Sequence, residues 1–88
     1  MNTVFKKTFL KEIEKITDSK IKESIVNVIG NVENSNSIID IRQLKKLSGF
    51  SKYYRIRLGN FRIGIYIENN TVYFARFGHR KDIYKQFP

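Results

Sequence analysis

Apolar and polar positions alternate from Tyr53 to Leu58 and again from Phe61 to Glu68, and the break between the two runs is Gly59-Asn60. Period-two alternation marks strands with one buried face, and a two-residue connection led by glycine favours the primed turns of a β-hairpin. The register that follows sets Leu58 opposite Phe61, Ile56 opposite Ile63 and Tyr54 opposite Ile65. A third alternating run, Thr71 to Phe77, follows Asn69-Asn70, a pair suited to a type I′ turn. The predicted meander has one apolar face, made of Tyr54, Ile56, Leu58, Phe61, Ile63, Ile65, Ile67, Val72 and Phe74. The opposite face carries Tyr53, Arg55, Arg57, Arg62, Gly64, Tyr66, Tyr73, Ala75 and Phe77. Arg76 falls on the apolar side by this count, so either the third strand is bulged or Arg76 lies beyond the cover of the helices.

Upstream the period changes to that of a helix. After a short extended stretch, Asn2 to Lys6, the residues Leu10 and Ile13 fall on one side of a first helix, joined by Phe9 and Ile16. Thr17-Asp18 breaks and caps. From Ser19, Ile21, Ile25, Val28, Ile29 and Val32 recur at helical spacing until Asn34-Ser35-Asn36-Ser37 ends the second helix. Two adjacent amphipathic helices joined by a short turn form a helical hairpin whose apolar stripe needs a sheet face. The expected fold is therefore α+β: an N-terminal strand, a two-helix hairpin, then an antiparallel three-stranded meander with the helices on one face. The first strand is expected to complete the sheet, and residues 1–88 to form one domain. Ile38 to Gly49 is a linking segment.

Charge changes the picture of the polar face. The chain of 88 residues holds 17 Lys and Arg against eight Asp and Glu, a formal net charge of +9. The excess is uneven: nine basic and six acidic residues up to Leu47, eight and two from Ser48 onward. In the hairpin register Arg57 opposes Arg62, and like charges directly opposed across strands are destabilising. Arg55 opposes Gly64, leaving the space beside it without a side chain. A fold gains nothing from this arrangement, whereas an anionic ligand does, and nucleic acid is the first partner to consider.

The residues also exclude chemistry. With one histidine and no cysteine, neither a metal site nor a disulfide is expected, and no cofactor. No Gly-rich phosphate loop or nucleophile elbow is present for a Ser, His, Asp triad built on His79. The N-terminal residues lack the apolar core of a signal peptide and no segment approaches a membrane span, so a cytoplasmic protein without membrane contact is expected. What the chain permits is metal-independent RNA cleavage, in which the ribose 2′-hydroxyl attacks its own phosphate and the protein supplies orientation, charge and proton transfer. Arg55, Arg57, Arg62 and Arg80 would hold and neutralise the phosphate, His79 is the natural acid or base, and Tyr84 is placed to stack on a base or assist a proton transfer. Lys52, Tyr53, Lys81 and Lys85 complete the expected RNA-binding set. The segment Gly78 to Phe87 that carries His79, Arg80 and Tyr84 is expected to bend over the basic face.

The run Tyr54-Arg55-Ile56-Arg57-Leu58-Gly59-Asn60-Phe61-Arg62-Ile63-Gly64-Ile65-Tyr66, followed by Gly78-His79-Arg80 and Ile83-Tyr84, resembles the RelE/ParE superfamily of bacterial toxins. Leu47-Ser48-Gly49 resembles the Leu-x-Gly element that precedes this strand in the family. The resemblance implies a toxin of a type II toxin–antitoxin pair that enters the ribosomal A site and cuts the message there. It also implies a cognate antitoxin that wraps and neutralises it, and DNA contact only through that complex. By the same resemblance, Arg57, Arg62, His79, Arg80 and Tyr84 occupy catalytic positions. Arg55 and Arg57 stand where relatives carry lysines, and Lys45 and Lys46 occupy a region where some relatives use a glutamate. Arginine does not deprotonate, so the proton acceptor is left to His79 or Tyr84. Two other readings stay open: a ParE-like inhibitor of DNA gyrase that cuts no RNA, and a non-catalytic module that binds RNA or the ribosome.

Overall fold

A computed structural model describes residues Met1 to Pro88. Strand β1 (Asn2–Phe5) leads into helix α1 (Lys7–Glu14) and helix α2 (Ser19–Asn34). Strand β2 (Leu44–Lys46) precedes the meander β3 (Tyr53–Leu58), β4 (Phe61–Glu68) and β5 (Thr71–His79). The five strands form one mixed sheet in the order β1-β5-β4-β3-β2, antiparallel except where β1 runs parallel to β5. The expected α+β arrangement is thus present, with an edge strand more than the alternation predicted. Strand β2 lies inside the stretch read as a linker; with three residues, two of them lysines, it has the charged, short form of a protected edge.

Local signals account for most boundaries. The Asp18 carboxylate accepts from the backbone of Lys20 and Ile21, at 2.8 and 3.3 Å, and so caps α2. Asn69 and Asn70 both take positive φ, as a type I′ turn requires, while in the other hairpin Gly59 does so (φ 58°) and Asn60 does not. The β3–β4 register is the one the alternation predicts, including Arg57 opposite Arg62 and Arg55 opposite Gly64.

The apolar face of the sheet is covered by the helices. Ile56, Ile63, Ile65, Val72 and Phe74 are buried against Phe9, Ile25, Val32 and Ile41. In α1 the buried residue is Phe9, whose ring centroid lies 5.3 Å from that of Phe74, whereas Leu10 is 45% exposed. Leu10 instead lines an open apolar groove between the helices with Ile13, Ile25, Val26 and Ile29, flanked by Lys7, Lys11, Lys22 and Glu14.

A β-bulge changes the third strand. Gly64 pairs with Arg76 but Ile65 pairs with Phe74, so Ala75 is the extra residue. The parity of β5 reverses there. Phe77, expected on the basic face, instead pairs with Ile63, is 3% exposed and stacks on Phe61 at 5.1 Å. Burial of a phenyl ring outweighs regular pairing, and the bulge is the result. Arg76 is turned out of the core. Its Nε and Nη2 donate to Glu12 of α1 at 3.1 and 3.0 Å, and Glu12 also accepts from the Phe77 N–H at 3.0 Å. Glu12 thereby satisfies backbone that β1 is too short to reach.

Candidate active site and nucleic-acid interface

The open face of the sheet is laid out in rows across the strands. Lys45, Arg55, Gly64 and Arg76 are paired in one row; Arg57, Arg62 and Gly78 form the next. On the other side of the first row, Tyr53, Tyr66 and Tyr73 continue the face, with Tyr66 and Tyr73 stacked at 4.4 Å. The hairpin therefore places cations at one end and rings at the other.

Neutral carbonyls orient the arginines. Arg62 Nη1 donates to the carbonyls of Gly59 and Phe61, both at 2.8 Å, and Arg55 Nη1 donates to Gln43 at 2.9 Å. The Gln43 carbonyl also accepts from the Arg57 N–H at 3.1 Å. Gln43 reaches this position with φ 61°, a conformation that L residues with a Cβ rarely adopt. Arg80 is tied to the hairpin turn through its own N–H, 2.8 Å from the Asn60 carbonyl. The ion pairs of the chain are Lys52–Glu68, Glu12–Arg76 and Lys85–Asp82. Arg55, Arg57, Arg62 and Arg80 thus have no carboxylate partner.

These groups border two adjoining cavities. One, of about 570 Å³, is bounded by Lys45, Lys46, Arg55, Arg62, Arg80 and Lys81, with the half-exposed Tyr84 on its wall. The other, of about 550 Å³, is lined by Gln43, Arg57, Gly59 and Asn60 and shares Arg62 and Arg80 with the first. Guanidinium groups with unsatisfied charge, converging from two strands and the C-terminal segment, suit the oxygens of a phosphodiester.

The structure brings together Arg55, Arg62, Arg80, Lys81 and Tyr84, and sets Arg57 one cavity away. It does not bring His79 to them. Because of the bulge, Arg62 pairs with Gly78 and Phe61 pairs with His79, which places His79 on the side of the core. Its ring meets Phe61 edge to face at 5.8 Å and its Nδ1 accepts from the Lys81 N–H at 3.2 Å. Lys52 stands apart, paired at 2.5 Å with Glu68, whose hydrogen bond and charge raise the lysine pKa. Lys85 pairs with Asp82 in solvent, and Tyr53 contacts Phe50 and Phe87 rather than the cavity.

Sequence reasoning missed Gln43, Lys45 and Lys46 as members of the site because β2 was unread. It also missed Phe87. The space over Gly64, on one side of Arg55, is not open to a ligand; the Phe87 ring lies there and fills it.

Comparison with known proteins agrees with the fold and the residues. Residues 3–84 match the family model described as the ParE toxin of the type II toxin–antitoxin system parDE. The chain is 43% identical to Toxin RelE3 of Methanocaldococcus jannaschii over the whole of both chains. It superposes with a TM-score of 0.80 and 41% identity on a chain of the RelB–RelE antitoxin–toxin complex from Methanococcus jannaschii, covering 97% of this chain and 99% of that one. The intact Escherichia coli RelBE complex matches at TM-score 0.70 and 23% identity, covering 89% and 94%, a likeness of fold. The shared sequence runs through the sheet and the segment that carry the cations and Tyr84, and the protein is accordingly a RelE-like toxin of a type II toxin–antitoxin system, a member of the RelE/ParE superfamily.

Proposed function

We propose that residues 1–88 form one toxin domain that acts in the cytoplasm as a ribosome-dependent, metal-independent endoribonuclease, cutting messenger RNA in the A site and so stopping translation. The observation that carries this reading is the cavity lined together by Tyr84 and by Arg55, Arg62 and Arg80, none of which has a carboxylate partner. In the reaction the 2′-hydroxyl gives its proton to solvent water as its oxygen bonds to phosphorus and the bond to the 5′-oxygen breaks, leaving a cyclic phosphate and, once that oxygen is protonated, a free 5′-hydroxyl. The three guanidinium groups stabilise the added charge on the phosphorane. Tyr84, reaching into the same cavity, donates the proton to the leaving oxygen or stacks on the neighbouring base. Arg57, in the adjoining cavity, holds the next phosphate along the chain.

The test is to supply the protein and its Tyr84→Phe variant to programmed ribosomes and map the 5′ ends of the message. Translation-dependent cuts made by the wild type and reduced in the variant support the reading. Intact message together with inhibited gyrase turns it to the gyrase inhibitor, and ribosome binding without cuts turns it to a non-catalytic module. His79 has no part in this scheme. A general acid or base contributes about 10²–10⁴-fold, so His79→Ala is expected to lower the cleavage rate by less than about threefold and to leave its pH profile in place. A loss of a hundredfold with the fold intact would put His79 back in the mechanism.

The partner proposed for this toxin is a cognate antitoxin with an acidic, partly helical segment that folds on binding. The apolar groove between α1 and α2, edged by Lys7, Lys11 and Lys22 against the single carboxylate of Glu14, fits the apolar face and acidic margin of such a helix. Leu10→Glu or Val26→Glu, at positions 45% and 66% exposed, is expected to weaken antitoxin binding by about 30-fold or more in calorimetry. Cleavage by the free toxin should be unchanged.

A further inference from the structure

After His79 the chain reverses and crosses the face that carries the arginines. It is held at both ends of the crossing. The Arg80 N–H donates to Asn60, Ile83 is 5% exposed beneath Gly78, the Gln86 side chain accepts from Arg76, and Phe87 is 5% exposed on β4. A short 3₁₀ turn, Ile83–Lys85, begins at the first of these buried anchors and turns Tyr84 outward, 51% exposed, on the wall of the cationic cavity.

The seat of Phe87 is specific. A Cβ at Gly64 would lie 2.7, 2.8 and 2.9 Å from Cδ2, Cγ and Cε2 of the Phe87 ring, closer than such atoms approach. The ring therefore rests on the β4 backbone, with Tyr53 against it edge to face at 5.7 Å. A strand interior flanked by Ile63 and Ile65 is a place where glycine weakens the sheet, and close approach by another group is a reason for it to be there. Because Gly64 shares a row with Arg55, the socket fixes how near the C-terminal turn comes to the arginines.

We infer that Gly64 and Phe87 are positioning residues for RNA cleavage: a socket and a knob that set Tyr84 against the strand arginines. The inference rests on the endoribonuclease reading. It predicts that the knob acts through Tyr84. Phe87→Ala and Gly64→Ala should each lower the single-turnover rate on ribosome-bound message by up to about 10²-fold, the loss that a 1 Å misplacement produces. Affinity for the ribosome should change little, and Phe87→Leu should restore most of the rate. In a Tyr84→Phe background, Phe87→Ala should add less than about threefold, because coupled residues are not additive. A full multiplicative loss, or an unchanged rate in both Phe87→Ala and Gly64→Ala, overturns the inference.

A second measurement separates this from the nuclease reading. With tyrosine rings isotopically labelled, Phe87→Ala should average the Tyr84 resonances while those of the stacked Tyr66 and Tyr73 stay dispersed. Averaging of Tyr73 as well would mean general loss of structure and would overturn the positioning role. If the wild type cuts no message yet Tyr84 responds in this way, the nuclease reading fails and with it the catalytic purpose, while the seating of the turn stands. If the wild type cuts and Tyr84 does not respond, the positioning fails and the nuclease reading is untouched.

Discussion

Arg80→Ala is expected to lower cleavage of ribosome-bound message by about 10²–10³-fold, corresponding to roughly 2.7–4 kcal/mol of lost transition-state stabilisation. The size follows from placement. Arg80 is shared by both cavities, its backbone is fixed to the hairpin turn, and no carboxylate offsets its charge. In the proposed reaction its guanidinium is therefore available where negative charge develops on the phosphate. Removal leaves no buried partner behind, so stability should change by less than about 0.5 kcal/mol, as for other exposed sites. Arg80→Lys should recover only part of the rate, since a point charge lacks the planar fork. The check is single-turnover cleavage alongside a urea melt. A tenfold or smaller loss that vanishes at high salt would reduce Arg80 to long-range attraction.

Phe9→Ala is the largest expected change in stability, about 3–5 kcal/mol. Phe9 has no exposed surface, and its ring packs against Phe5 and Phe74, with centroids 6.2 and 5.3 Å away. For a domain of this size the whole free energy of folding is roughly 5–15 kcal/mol, so the variant should be partly unfolded at 37 °C. The adjacent Leu10→Ala should cost less than about 1 kcal/mol, because nearly half of that residue is already exposed to water. Urea denaturation of the two variants decides the face of α1; comparable losses would mean that the groove between the helices is closed in solution.

That pair of residues also marks how far the sequence was legible. Helical spacing put Leu10 and Ile13 first and Phe9 second. The pattern alone could not rank neighbours 100° apart on an eight-residue helix. The ranking comes from Phe5 and Phe74, which meet Phe9 only when β1 lies parallel beside β5. His79 is a similar case. Its identity made it the natural proton carrier, yet its face depends on the insertion of Ala75, and that depends on Phe77 reaching the core across Ile63. Strand β2 was too short and too charged to register as a strand, so the cations Lys45 and Lys46 were not assigned to the site.

The sequence by itself determined what short-range chemistry can determine. Alternation and turn residues specified the β3–β4 register, the opposition of Arg57 and Arg62, the Asn69-Asn70 turn and the Asp18 cap, because each depends on contacts within one or two elements. Family resemblance supplied the toxin class. Tertiary structure decided which candidates share a cavity. The bulge in β5 sent His79 to the side of the core, β2 brought lysines beside Arg55, and the C-terminal turn carried Tyr84 in while Phe87 took the space over Gly64. Each of those outcomes is a competition for burial among residues far apart in the chain, and a local pattern holds no information about which of them wins.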